Sequence, residues 1–271
     1  PPAVDADTLA AQLLDQLLHA GVERAVAAPV QPHAARLSSG RRGLSVVAIR
    51  AIRVFYAAHS GLEKFMGDVC KEAGFDASVC ALTRSTGLSL AESLVLVAQT
   101  SEADPAGLIG EATCFFSYSW TGTRLGDMLT AIERKLVALE ADDGRARYVW
   151  VDMFAASQNL LSGAYLPAGA DARQALKLAD PAAYAARKED TDHIFDDALD
   201  GVRDLLLYAS PLLGEWTAPP QPYLLADRGE PPAEWRRRGP GAMTRAWCMF
   251  ELVSSLARGA RLHVVLSPAD V

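Results

Sequence analysis

From Gly110 to the end of the chain, apolar runs alternate with amphipathic stretches. ATCFFSYSW (112–120) is short, apolar and aromatic, with strand character. In TGTRLGDMLTAIERKLVALE (121–140), Leu125, Met128, Ile132, Leu136 and Leu139 recur at helical spacing. RYVWVDMF (147–154) and DLLLYASP (204–211) are the next strands, with DDALDGVRD (196–204) leading into the second. MTRAWCMFELVSSLARG (243–259) follows as a helix and RLHVVLSP (261–268) as a final strand. Strands that are nearly continuous apolar runs, separated by helices, predict a parallel sheet covered on both faces. In such a sheet the functional cleft lies outside the carboxyl ends of the strands.

The pattern before residue 110 is different. VDADTLAAQLLDQLLHAGV (4–22) has Leu9, Leu13, Leu17 and Val22 near helical spacing, with Asp5 or Asp7 as N-cap and Gly21 as a break. SVVAIRAIRVFYAAHSGLEKFMGDVCKEAG (45–74) reads as helical with Gly74 as a stop. STGLSLAESLVLVAQ (85–99) reads as a third helical segment, with Ser85 or Thr86 as its cap. No strand alternation is visible there. The chain therefore divides into an all-helical N-terminal region, 1–108, and an α/β domain, 109–271. Two long inserts, near 159–192 and 217–241, fall in strand-to-helix connections. Loops of that length are commonly lids, partner surfaces or linkers. The second carries Arg236, Arg237 and Arg238, a charge run that reads first as solvated loop.

Composition narrows the function classes. Half of the 271 residues are hydrophobic, enough for a sizeable core, and the net charge of −7 argues against a nucleic-acid surface. No apolar run reaches the roughly 20 residues that span a bilayer. The chain begins Pro1-Pro2, which reads as a processed protein or a fragment, so targeting to an organelle stays open beside a cytoplasmic location. Cys70, Cys80, Cys114 and Cys248 lack metal-ligand spacing and read as small core residues in a reducing compartment; a Cys70–Cys80 bridge is the alternative. No metal site is expected, and no glycine-rich phosphate loop is present to support a kinase or dehydrogenase.

Taken in order, these segments resemble a Toll/interleukin-1 receptor (TIR) domain. FFSYSW (115–120) is similar to that family's opening strand and loop, and VWVDMF (149–154) to its second strand, which ends in an aspartate. HIFDDALDGVRDLLLYASP (193–211) resembles its second helix and third strand. AWCMFEL (246–252) matches a WCxxEL helix, and RLHVVL the strand after it. The resemblance covers about residues 112–268. It implies a flavodoxin-like parallel sheet, although the final strand and helix of the family have no counterpart before Val271. VWVDMFAASQN (149–159) also partly resembles the WIDxxCxNQ signature of heterokaryon-incompatibility domains, with Ala156 in the cysteine region.

The helical wheel of RAWCMFEL and its continuation places Met249, Leu252, Val253 and Leu256 in one stripe, expected to face the sheet. Trp247 and Glu251, four residues apart, are expected on the opposite side, at the cleft. Some TIR domains hydrolyse NAD, and the resemblance makes Glu251 their catalytic glutamate. Expelling nicotinamide neutralises a cationic ring, so no general acid is needed for the leaving group. The oxocarbenium-like ribose is what needs a carboxylate beside it. Tyr118, Ser119 and Trp120 in the loop after the first strand, Asp152, Phe195 and Trp247 are the expected nucleotide contacts. NAD is thus expected as substrate, with no cofactor required.

Each assignment has a rival. Glu251 reads equally as a solvated helix residue, Asp152 as a structural cap, Trp247 as packing under the proline-rich loop, and Trp120 as an inter-domain anchor. The alternative to an NAD glycohydrolase is a non-catalytic TIR-like adaptor, scaffold or structural subunit. It would act through self-association or a protein partner.

Overall fold

The computed structural model describes residues 37–72, 74–83, 88–100, 107–120, 122–161, 181–182, 193–210, 242 and 246–270. The N-terminal segment 4–22, the caps proposed at Ser85 and Thr86, the insert 217–241 with its three arginines, and most of the insert 159–192 lie outside them.

Six strands form one sheet: β1 (Arg42–Leu44), β2 (Ile109–Glu111), β3 (Cys114–Ser117), β4 (Val149–Trp150), β5 (Asp204–Tyr208) and β6 (Arg261–Val265), ordered β2-β1-β4-β3-β5-β6. The last four are mutually parallel. β1 runs antiparallel to both of its neighbours, with Leu44 opposite Val149 and Arg42 opposite Glu111. The mixed α/β class and the mostly parallel sheet are therefore as expected.

The region before residue 110 is not free of strands. β1 lies inside it and extends the same sheet, and β2 straddles the change in texture. The helices of that region, α1 (Val46–Ala58), α2 (Met66–Lys71), α3 (Val79–Leu82) and α4 (Leu90–Thr100), supply side chains to the same core as the parallel strands. Gly43 and Gly110 pair across β1 and β2, where an added Cβ would come within 2.7 and 2.5 Å of Tyr148. Only glycine lets these two short strands close over that tyrosine.

Local chemistry fixes the helix ends. The Ser45 hydroxyl accepts from the Ala48 N–H at 3.2 Å to start α1. At α4, Ser89 Oγ accepts from the Glu92 N–H at 3.1 Å while the Glu92 carboxylate accepts from the Ser89 N–H at 2.7 Å. That reciprocal pair is a capping box at Ser89. α5 (Leu125–Asp143) stops at Gly144, whose φ of 68° is left-handed. The turn α6 (Asp152–Ala155) follows β4 directly, and α7 (Gln158–Leu161), α8 (Ile194–Asp200) and α9 (Ala246–Ala257) complete the helices used below.

Strand alternation divides the core. Phe116, Tyr118, Leu206, Tyr208 and Val265 face the larger layer, built with α1–α5. Phe115, Trp150 and Leu205 face a smaller one with Ile194, Ala198 and Leu199 of α8, while Leu207 meets Cys248 of α9. Helices thus cover both faces, with a thinner layer on the side of α8 and α9. All four cysteines are buried and free, so Cys70 and Cys80 form no bridge.

Candidate functional site

At the carboxyl ends of β3 and β4 the chain leaves the sheet through Tyr118 and Asp152. A cavity of about 160 Å³ opens there, walled by Phe116, Tyr118, Trp120, Asp152, Trp247, Cys248 and Glu251. Five of the seven expected site residues line it: Tyr118, Trp120, Asp152, Trp247 and Glu251. Ser119 is buried but is not in this wall. Phe195 stands outside it and packs edge-on against Trp247, with ring centroids 4.9 Å apart, and against Trp150 at 5.3 Å.

Glu251 is only 5% exposed, and its Oε2 accepts a hydrogen bond from Ser117 Oγ at 2.5 Å. It is not a solvated helix glutamate. The expected orientation of α9 holds only in part: Leu252 packs against the core of Phe115 and Trp150, but the rest of the stripe does not define the buried face. Cys248, Glu251 and Ser255 turn toward the sheet and are buried, whereas Val253 is 62% and Leu256 46% exposed. Trp247 is half-exposed and Glu251 nearly buried, and both line the cavity from the face they share, which does not point away from the sheet as expected. The reason is local. Ser117 closes β3 with a hydroxyl directed at α9, which gives a buried carboxylate a donor that no aliphatic side chain could use. Ser117 is the neighbour of Glu251 that helix periodicity missed. Its signal was a small polar residue ending an otherwise aromatic strand.

Asp152 holds the cavity floor. Its Oδ1 accepts from Tyr118 Oη at 2.7 Å and from the Met153 N–H at 2.6 Å, and its Oδ2 accepts from Trp120 Nε1 at 3.0 Å. Burial, then the Asp152 charge and hydrogen bond, push the Tyr118 phenol well above its usual range, so it stays protonated as the donor. Asp152 therefore acts as the structural clamp of the loop, and Trp120 is oriented by it. Cys248 Sγ donates to the Tyr118 carbonyl at 3.3 Å, tying α9 to the same loop.

The next turn is fastened to the helical layer. Gln158 Nε2 donates to the Asp152 carbonyl at 2.9 Å, and Asn159 Nδ2 donates to Thr83 Oγ1 at 2.9 Å and to the Cys80 carbonyl at 3.2 Å. These two residues, which carry part of the heterokaryon-incompatibility-like signature, work here as structural ties. Among the described residues no group of three His, Cys, Asp or Glu side chains is arranged to hold a metal ion, and no helix is long and apolar enough to cross a membrane.

Comparisons of the chain with protein-family models, curated proteins and solved structures give no match.

Proposed function

We propose that this protein is a TIR-like α/β protein whose cleft cleaves the nicotinamide–ribose bond of NAD, with Glu251 as the reacting carboxylate. The observation that carries the reading is Glu251 itself: a nearly buried acid at the carboxyl edge of the parallel strands, in a cavity lined by four aromatic side chains. Two further features support it. The four parallel strands run 2-1-3-4 in their own sequence order, which is the order of the first four strands of flavodoxin-like sheets. The cavity of about 160 Å³ is below the size of a whole-ligand pocket and suits one ring, with the rest of a dinucleotide outside it.

In this reading the C1′–N1 bond breaks and its electron pair passes to the nicotinamide ring, which leaves neutral. The Glu251 carboxylate offsets the positive charge that grows on the ribose and hydrogen-bonds its hydroxyls. Water then adds at C1′ and releases a proton. Ser117 positions the carboxylate, while Trp247 and Trp120 offer flat surfaces to the ring. Incubation of concentrated protein with NAD, followed by chromatography of free nicotinamide and ADP-ribose, tests this. Release that disappears in Glu251→Gln supports it, and equal release by both proteins refutes it.

A second reading is a non-catalytic adaptor or scaffold that self-associates or binds a protein partner. It is favoured by the outward apolar residues of α9, Phe250, Val253 and Leu256, and by Val264 on the edge strand β6, which is 59% exposed. Unpaired edges and exposed apolar groups are the usual material of association.

A further inference from the structure

A second concavity lies at the opposite end of the sheet from Glu251, at the amino ends of β4, β5 and β6. It has a volume of about 480 Å³ and is lined by Arg145, Arg147, Arg203, Arg258 and Arg261, with Asp143 as the one lining carboxylate among the described residues. Arg147 lies two residues before β4, Arg203 immediately precedes β5, and Arg261 opens β6. The parallel sheet thus gathers from three separate segments the side chain best suited to planar recognition of phosphate.

Part of this charge is already matched. Asp204, fully buried at the start of β5, accepts from Arg261 Nε at 2.9 Å and Nη2 at 3.2 Å, and lies 3.6 Å from Arg147 Nη1. Arg258 donates to Asp200 at 2.7 Å and to the Ser254 carbonyl at the end of α9 at 3.3 Å. Three arginines keep unmatched donors. The guanidinium groups of Arg145 and Arg203 meet no carboxylate among the described residues. Arg147, whose side chain is 3% exposed and which also pairs with Asp143, keeps a buried Nε with no hydrogen-bond partner. A buried guanidinium N–H left unpaired beside two unmatched arginines is costly unless an anion completes it.

We propose that this concavity binds a small molecule carrying two or more phosphate groups. Phosphate is favoured because five guanidinium groups line one concavity and two of them, Arg145 and Arg203, meet no carboxylate among the described residues. Among the described residues the wall carries no aromatic side chain, so recognition rests on the anionic groups rather than on a base. A small ligand is favoured over a nucleic acid because the chain's net charge of −7 repels an extended polyanion, while the short-range pocket still captures a compact one. The inference stands apart from the Glu251 cleft and does not depend on it.

Isothermal titration of the whole chain with tripolyphosphate tests it, beside an Arg145→Ser/Arg203→Ser double variant. Both substitutions are at exposed side chains without ion pairs among the described residues, so a thermal melt checks that the fold is kept. The expected result is saturable binding with one ligand per chain, weakened tenfold or more in the double variant and weakened again by added salt. No saturable binding, equal affinity in the variant, or equal binding of sulfate at matched ionic strength overturns the proposal. Tighter binding of a short single-stranded DNA than of tripolyphosphate also overturns it, in favour of a nucleic-acid surface.

Discussion

Replacing Asp204 tests how the amino end of the sheet is held together. This carboxylate is fully buried and is met by Arg261 through two nitrogens, by His263 Nε2 at 2.8 Å and by Arg147 at 3.6 Å. Asp204→Ala strands the Arg147 guanidinium, itself almost wholly buried, with Asp143 as its remaining partner. Removing one partner of a buried charged group costs about 3–5 kcal/mol, because the other charge is left uncompensated. Arg261 is largely exposed, so its share falls in the range of about 0–1 kcal/mol for surface pairs. At about 2–4 °C per kcal/mol for a chain of this size, the melting temperature should fall by roughly 6–20 °C. Urea denaturation at neutral pH, followed by far-ultraviolet circular dichroism, measures the loss directly. A loss below about 1 kcal/mol would refute the argument from buried charge.

The same residue predicts a pH dependence. Burial pushes the Asp204 carboxyl up, but hydrogen bonds from His263 and Arg261 and the Arg261 charge outweigh it, leaving the group below its ordinary value of 3.8. A depressed carboxyl in the folded state contributes stability that is present above that ordinary value. The contribution is lost as the pH falls below it, through the folded-state value. The difference in stability between wild type and Asp204→Asn should therefore shrink on acidification from pH 5 toward pH 2.

Three further outcomes follow from local contacts. Ser89→Ala removes one half of the capping box of α4 and should cost about 1 kcal/mol in the same denaturation assay. Gly40→Ala would put a Cβ 2.4 Å from the Ile194 carbonyl oxygen and 2.5 Å from Asp197 Cβ; overpacking against backbone should cost about 1–3 kcal/mol or more, read by thermal melting. The four cysteines are buried, and burial pushes the Cys114 thiol up to about 12, so Ellman's reagent should titrate them only after unfolding, with no fast native phase at pH 8.

Much of the α/β layer was legible because its elements are long or strongly patterned. α5 keeps its apolar residues at helical spacing over 19 residues, and β5 is an unbroken apolar run after Asp204. β1 and β2 were not legible. Each is three residues long and contains a glycine, so neither offers an alternation to detect, and they become strands only by pairing with each other and with β4. The cap of α4 fell four residues later than Ser85 because the Ser89–Glu92 reciprocity decides it.

The site was legible in membership and misread in orientation. α9 carries apolar side chains around most of its circumference, so periodicity does not select a buried face. The choice is made by the Ser117–Glu251 hydrogen bond and by the Cys248 contact to Tyr118, both long-range pairs that no helical wheel contains. That difference matters for function. It sets Glu251 not on an outward face at the cleft but in a nearly dry wall, where a carboxylate acts more strongly on a nearby cation. It also leaves Val253 and Leu256 outward, where a Val253→Lys/Leu256→Lys variant should lower any self-association measured by sedimentation.

The most direct test of the account is the steady-state rate of nicotinamide release at high protein concentration, for wild type and for Glu251→Gln, with both shown to be folded. If the carboxylate acts on the developing ribose cation, kcat should fall by a factor of about 100 or more while KM changes little, the pattern of an interaction made in the transition state. Wild-type release with an unchanged kcat in the variant, or no release by the folded wild type, would contradict it.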